Sequence, residues 1–584
     1  MDDGLITAAD MEFLLYDWLH AERLYAQPPW TEHTRESVGE VLDLGERIAR
    51  DWFLPHYKTA DRAEPRLEDN GVRVLPEIRN ALRQYADVGL FAAGFGAELD
   101  GMALPYLVQS ALFAQFAAAN IATAGYVMLT VANARLIATF GSPAQVDAFA
   151  RPQVAGCWFG TMCLSEPQAG SSLADIRTRA EPQGEDALGA RYRLVGNKMW
   201  ISAGDHDITE NIVHLVLAKV PGPDGMLPEG SRGISLFIVP KVLPDGRRND
   251  INVAGLNHKM GYRGTANCLL NFGEQGGATG WRVGEVGQGL PQMFQMMNEA
   301  RIGVGLGAAM LAYRGYRSAL RYAKERRQGR PPAARGGLPV ALVEHADVKR
   351  MLLEQKAYAE GALALCLYCA RLVDEADDPE ARSLLALLTP VAKAWPSEFG
   401  LAANDGAIQV HGGYGYTRDF DVEQLYRDNR LNAIHEGTTG IQALDLLGRK
   451  ILRDQGSGLA IARRRVDSAC DRAAYSGALA PWSIALREAW DGISVTVAAL
   501  EQAPGATAFD NATPFLRAFG HSVVAWLWLE QALIAEPRRA DPFHAGKLAA
   551  CRFFYECELP RVPAWLRFVA SRSDVCAGAD PVSF

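Results

Sequence analysis

Ile212-Val213-His214-Leu215-Val216-Leu217-Ala218, followed one loop later by Ile234-Ser235-Leu236-Phe237-Ile238-Val239, decides the fold class of this chain. Both runs are short, rich in β-branched residues and bounded by Gly, Pro, Asn or Asp, which is the behaviour of strands. Tyr192-Arg193-Leu194-Val195 reads the same way, so residues 158–282 form a β-domain. On either side the pattern is helical. Glu12, Phe13, Leu14, Leu15, Trp18 and Leu19 mark an amphipathic first segment, and Tyr106–Phe116 and Ile121–Phe140 have helical apolar spacing. Downstream, two long helices at about 290–327 and 340–373 flank a Pro/Gly-rich link, Gly329–Pro339. Strands and helices do not alternate, which argues against a doubly wound sheet. The expected architecture is mostly α with a central antiparallel β-domain: an N-terminal helical extension (1–35), an N-terminal helical domain (36–157), the β-domain (158–282), a C-terminal helical bundle (283–453) and an additional helical domain (454–584).

Composition narrows the class. The 584 residues suffice for several domains, and 49% apolar with 22% charged residues is the balance of a globular protein. A net charge of -9 argues against a nucleic-acid partner. No uninterrupted apolar run reaches the ~18 residues of a membrane span. The acidic start, Met1-Asp2-Asp3, lacks the basic region of a secretory signal. Nine scattered cysteines fit reduced thiols, and a cytoplasmic location is expected. The one CxxC, Cys366 with Cys369, lies in a helical run and reads as core, not as a metal site. Gly303-Val304-Gly305-Leu306-Gly307 follows no strand, so it reads as small residues that let a helix or a flat ligand approach closely.

Four segments carry chemistry. Met162-Cys163-Leu164-Ser165-Glu166-Pro167-Gln168-Ala169-Gly170-Ser171-Ser172 takes a strand into a turn rich in hydroxyls and backbone amides, suited to the polar edge of a heterocycle and to a pyrophosphate. Lys198-Met199-Trp200-Ile201-Ser202-Ala203-Gly204 supplies a planar face at Trp200 and a hydroxyl at Ser202. Asn298-Glu299-Ala300-Arg301 opens a long helix that has Glu325-Arg326-Arg327-Gln328 at its far end. The fourth is Gln409-Val410-His411-Gly412-Gly413-Tyr414-Gly415-Tyr416, followed by Arg427-Asp428 and then His435-Glu436-Gly437-Thr438-Thr439. Taken singly, these read as a turn, a core aromatic, a solvated helix face and a helix cap.

In this order and spacing the four segments resemble the acyl-CoA dehydrogenase family over residues 36–452. The extra N-terminal stretch and C-terminal block resemble its long subgroup, which includes long bacterial fatty-acyl-CoA dehydrogenases. The resemblance implies FAD as cofactor, an acyl-CoA substrate, a trans-2-enoyl-CoA product, and an electron-transferring flavoprotein as acceptor. It implies that Glu436 is the catalytic base, with Ser171, Asn298, Arg301 and Gly437 beside it at the substrate. Met162, Leu164, Ser165, Gly170, Ser171, Trp200, Ser202 and Thr438 would hold the flavin and diphosphate. Arg326, Gln328, Gln409 and Gly413 match positions that reach the FAD of a neighbouring subunit. His435 stands where the family commonly has Tyr. Ala300 stands where some relatives carry the base, so Glu436 has no rival there. Two alternatives share this fold, an oxygen-using acyl-CoA oxidase and a DNA-associated flavoprotein of the alkylation-response type. The latter would need a basic face, whereas residues 453–584 hold 14 Lys plus Arg against 14 Asp plus Glu. That last block carries an apolar stripe through Phe519, Val523, Val524, Trp526, Leu527, Leu533 and Ile534. It is expected to cover the apolar surface of the preceding helices within one chain, leaving a homodimer as the functional unit.

Overall fold

The computed structural model describes residues 5–69, 71–330, 336–454, 456–502 and 505–584; the side chains of residues 294–298 and of Ala506 lie outside that description. The chain forms two compact units, Glu32–Ala300 and Met1–Thr31 with Arg301–Phe584.

The unit Glu32–Ala300 begins with helices α1 (Arg35–Ile48), α2 (Pro76–Asp87) and α3 (Tyr106–Phe140). Thr34 and Ser37 cap α1 reciprocally, satisfying two of its unpaired terminal amides. α3 is broken at Asn120, which has φ −159° and ψ 92°; its side chain donates to the Phe53 carbonyl at 3.1 Å and accepts from the Thr123 amide at 3.2 Å. The two helical runs read in the sequence are the two halves of this helix. By length and composition α3 is apolar enough to cross a membrane, which corrects the expectation of no such segment; 78% of its most apolar window is buried in the protein. Its polar residues interrupt any continuous apolar run, while the average hydropathy stays high because the helix is a core element.

Eight strands follow: β1 (Phe159–Cys163), β2 (Arg179–Asp186), β3 (Gly189–Ser202), β4 (Ile212–Lys219), β5 (Ile234–Pro240), β6 (Ile251–Leu256), β7 (Asn267–Phe272) and β8 (Ala278–Val283). They form one sheet in the order β8-β5-β4-β2-β3-β7-β6, with β1 paired to β4 and β8 also paired to β3. The deciding runs are β4 and β5. Val213, Leu215 and Leu217 pack on one side with Leu136 and Ile137 of α3, whereas Val216 and Ala218 pack on the other with Leu194, Phe237 and Cys268. Both faces are covered, so these strands are continuously apolar and do not alternate. The β-domain is not wholly antiparallel. β1 pairs parallel with β4 from Phe159↔Ile212 to Cys163↔Val216, and β2 meets β4 in parallel at Arg179↔Lys219. The chain leaves β1 through a turn and the whole β2–β3 hairpin before re-entering as β4, and such a crossover returns the strand in the same direction.

Helix α4 (Gly289–Glu325) continues into the second unit. There it is joined by α5 (Ala346–Asp374), α6 (Pro379–His411), α7 (Val422–Arg430) and α8 (Thr439–Leu444), then α9 (Ser457–Ala474), α10 (Ala480–Glu501), α11 (Ala512–Ala535), α12 (Pro542–Phe553) and α13 (Val562–Ala570). α5 starts later than expected because the returning link first pairs Arg327 with Ala341 and makes a 3-10 turn at Leu342–Glu344. The glycine run of α4 serves helix packing. A Cβ on Gly305 would lie 1.8 Å from the Ala392 carbonyl oxygen of α6. Pro396, four residues on, has no N–H to offer that carbonyl, and the Cys366 thiol of α5 donates to it at 3.8 Å.

Candidate active site

Glu436 lies on the turn between α7 and α8, at φ +51°, and Gly437 follows at φ +90°. A non-glycine residue in the left-handed region costs on the order of 1 kcal/mol or more and persists where its surroundings over-determine it. Here the Gln442 Nε2 donates to the carbonyls of both Glu436 and Gly437 at 3.3 Å, and Lys393 Nζ of α6 donates to the Gly437 carbonyl at 2.6 Å. A side chain on Gly437 would put its Cβ 2.4 Å from Gln442 Nε2, so glycine is required there. Thr438 caps α8 through its hydroxyl, which accepts from the Ile441 amide at 3.4 Å. Among the described residues the Glu436 N–H has no backbone acceptor.

The electrostatics favour a base. Glu436 keeps part of its surface open while protein crowds it, and burial raises its pKa; the charges of Lys393 and Arg301 pull the other way. Arg301 is buried, and its guanidinium donates to Asp445 Oδ2 at 2.7 Å. Its charge therefore acts on Glu436 from within an ion pair. Burial pushes His435 down to about 3, so it is neutral beside Glu436. Its Nε2 lies 3.1 Å from Asn432 Oδ1; Asn432 donates to Asn429 Oδ1 at 3.0 Å, and Asn429 donates to Asn404 Oδ1 at 2.7 Å. With each amide donating onward, the first acceptor requires the Nε2–H tautomer of His435. The side chain of Asn298 lies outside the described residues.

In the unit Glu32–Ala300 the structure gathers Met162, Leu164, Ser165, Trp200 and Ser202. The Phe159 N–H donates to Asn211 at the head of β4 (3.3 Å), whereas the Gly160 N–H donates the other way, to Thr130 Oγ1 at 3.2 Å. Alternation then turns the peptide group of Met162 away from β4, while beyond the strand the Leu164 carbonyl accepts from Lys198 Nζ at 3.0 Å. Met199 N–H donates to Ser165 O at 3.0 Å, joining the two segments. Trp200, at φ +64°, leaves 60% of its surface exposed. Ser202 Oγ accepts from Asn267 Nδ2 at 3.3 Å, and Gly170 and Ser171 are exposed at the turn.

Glu166 organises this turn. Its carboxylate accepts from Lys198 Nζ (2.9 Å), Gln168 Nε2 (2.8 Å), the Arg177 amide (2.6 Å), and the Thr178 amide (3.0 Å) and hydroxyl (2.6 Å). Burial pushes its pKa up, but the Lys198 ammonium and these donors outweigh it and hold the value at about 2. Because the folded pKa is depressed, this stabilisation is complete above the unfolded carboxyl's ~4.3 and is lost as pH falls towards about 2. Glu166→Ala strands a buried ammonium and is expected to cost about 3–5 kcal/mol. Denaturant unfolding followed by tryptophan fluorescence checks this; an unchanged midpoint would contradict it.

At the far end of α4, Arg326 donates to Gln328 Oε1 at 3.2 Å and lies over the Tyr414 ring at 5.9 Å. Gln409 and Gly413 are exposed on the neighbouring end of α6 and the turn after it. Arg326 and Gln328 thus meet the turn after α6 through Tyr414.

Family models place this geometry. Residues 46–156 match "Acyl-CoA dehydrogenase, N-terminal domain", 161–274 the middle domain, 287–452 the C-terminal domain and 463–580 "Acetyl-CoA dehydrogenase C-terminal like". The chain is 36% identical to the 3-methylmercaptopropionyl-CoA dehydrogenase of Ruegeria pomeroyi, over 92% of this chain and 93% of that one. The chain belongs to the acyl-CoA dehydrogenase family. It is also 32% identical to the broad-specificity linear acyl-CoA dehydrogenase FadE5 of Mycobacterium tuberculosis, over 94% and 95%. The Bacillus anthracis acyl-CoA dehydrogenase complexed with FAD shares the fold, with a TM-score of 0.75 at 20% identity over 92% of this chain and 89% of that one.

As a member, the chain is an oxidoreductase whose cofactor is FAD. The residues present fit that group: Trp200 offers a planar face with most of its surface exposed, and the hydroxyl of Ser202 and the exposed turn at Gly170 and Ser171 lie on the same unit. The sequence reading missed Lys393, the Glu166–Lys198 pair and the asparagine chain behind His435. A signal for the first was present: Lys393 lies within Val391-Ala392-Lys393-Ala394-Trp395, an apolar helical run where an ammonium is costly without a partner.

Proposed function

We propose that this acyl-CoA dehydrogenase converts an acyl-CoA thioester to the trans-2-enoyl-CoA, with Glu436 as the base, and passes the electrons to an electron-transferring flavoprotein. The observation that carries this is that one residue offers both groups the reaction needs. The Glu436 carboxyl is made more basic by burial, and the Glu436 N–H has no backbone acceptor among the described residues. An α-proton beside a thioester is weakly acidic. A carboxylate can remove it when burial raises its pKa and when a donor meets the developing charge on the carbonyl oxygen, a role worth ~3–4 kcal/mol per donor. Lys393 and Gln442 hold the turn that presents both groups. FAD, when bound, supplies the acceptor for the β-hydrogen, which leaves as hydride.

In this reading Met162, Leu164, Ser165, Gly170, Ser171, Trp200, Ser202 and Thr438 bind the cofactor of their own chain. Arg326, Gln328, Gln409 and Gly413 serve the cofactor of a second copy, making a homodimer the working unit. Ser171, Asn298, Arg301 and Gly437 complete the substrate side. The enzyme works in the cytoplasm, the reading that the reduced cysteines support.

The test is an anaerobic panel of acyl-CoAs spanning linear, branched and sulfur-containing acyl groups, scored by bleaching of bound FAD. At least one member should bleach it, and an electron-transferring flavoprotein should restore the oxidised spectrum faster than air does. Rapid reoxidation by air with stoichiometric peroxide would instead identify an oxidase, and no bleaching across the panel would overturn the reading.

A further inference from the structure

Lys393 lies in the middle of α6 with 0% of its surface exposed. Burying an ammonium is expensive unless hydrogen bonds and an opposite charge answer it. Among the described residues its Nζ makes one hydrogen bond, at 2.6 Å, to the carbonyl of Gly437, the residue after Glu436. The charged and titratable groups around it come from several elements. Arg301 of α4 is paired with Asp445, and Arg449 takes the other oxygen of Asp445 at 2.8 Å. His435 is neutral. With Asp445 engaged by Arg301 and Arg449, Glu436 is the carboxylate whose charge acts on the Lys393 ammonium.

We propose that Lys393 is a positioning residue for the dehydrogenation: it holds the Glu436–Gly437 turn through the Gly437 carbonyl and keeps the Glu436 carboxylate ionised in its desolvated site. This rests on the reading of Glu436 as the base. Two opposed effects show why a charge is needed there. Burial alone drives Glu436 towards its protonated form, in which it cannot accept a proton, and Lys393 and Arg301 oppose that drift. Burial likewise lowers Lys393 itself to about 7, with Glu436 the group that resists the loss of its proton. Each group sustains the charge of the other, so removing the ammonium raises the carboxyl further.

The test compares Lys393→Met and Lys393→Gln with the wild-type holoenzyme, following anaerobic flavin bleaching by acyl-CoA from pH 5.5 to 9.5. FAD content and far-UV circular dichroism are read alongside. An opposite charge close by is worth ~1–3 pH units. The acid limb of the rate profile should therefore move up by about 1 unit or more in both variants. On the acid side of the limb the rate should fall about tenfold or more, with recovery at alkaline pH. Lys393→Gln separates charge from hydrogen bonding, because it keeps a donor and loses the charge. Lys393→Arg, which keeps the charge, should leave the limb in place; this decides the matter even if the methionine variant does not fold. A uniform loss at every pH with an unmoved limb, or a limb shifted equally in the arginine variant, overturns the proposal. Glu436→Gln distinguishes this from failure of the underlying reading: a variant that still bleaches removes the base itself, whereas an inert one with an unmoved Lys393 limb removes only the role of Lys393.

Discussion

Glu436→Gln is expected to fold, to stay yellow and to bind acyl-CoA, and to lose nearly all flavin bleaching by substrate. The amide matches the carboxylate in size and leaves the backbone untouched, so the donors from Gln442 and Lys393 to the turn persist. The change removes the ability to accept a proton, and with it the negative charge that sustains the Lys393 ammonium. Positioned general-base catalysis contributes ~100- to 10,000-fold, and the loss should lie in or above that range. The neighbouring residue at the start of the long helix, Ala300, cannot substitute, and His435, bonded through its Nε2 to Asn432, cannot reproduce a carboxylate. Stopped-flow bleaching under anaerobic conditions measures the effect. A rate within a few-fold of wild type would show that the base lies elsewhere.

Removing residues 454–584 is expected to leave no well-behaved monomer or dimer, only aggregates or tetramers. The block supplies the cover for α5 and α6 in its own unit. Trp528 and Val524 of α11 lie against Gly361, where a Cβ would meet each at 2.9 Å, and the Trp528 indole N–H donates to the Ala357 carbonyl at 3.2 Å. Trp395 of α6 packs on Gly520 in the same close way. Buried charges cross the same surface. Lys547 Nζ lies 2.7 Å from Asp10 and 2.8 Å from Glu360, and Tyr358 donates to Glu558 at 2.6 Å. Truncation therefore exposes apolar area, at ~25 cal/mol per Å², and also strands Asp10 without Lys547. Removing one partner of a buried pair costs ~3–5 kcal/mol by itself. The intact chain is expected to sediment as a dimer, on the proposal that a face of α5 and α6 which could otherwise pair dimers is the one α11 packs against. Sedimentation velocity checks both statements. A stable tetramer of the intact chain, or a truncated chain as soluble and stable as the full one, would contradict them.

Several features were legible from local pattern. β4 and β5 were readable because a strand covered on both faces is apolar throughout. The halves of α3 were readable on either side of Asn120, whose side chain replaces the helical bonds it interrupts. The Glu436–Gly437 turn was readable because the left-handed backbone there admits glycine and little else at the second position. Each of these leaves its mark within a few consecutive residues, in composition and periodicity. The parallel pairing of β1 with β4 is of another kind, since it depends on where a crossover of some fifty residues returns. The five donors that converge on Glu166 were equally beyond local pattern, whereas the apolar stripe of α11 announced a buried face without naming the residues of α5 and α6 that it meets. Also beyond local pattern was Lys393, an ammonium in an apolar helix whose hydrogen-bond partner, Gly437, follows forty-four positions later. Periodicity reports which face of an element is buried but not what it is buried against. The amino-acid sequence by itself determined the elements and the family and marked Glu436 as the candidate base; only the tertiary structure decided which buried charges answer one another, because that depends on the packing of elements far apart in the chain.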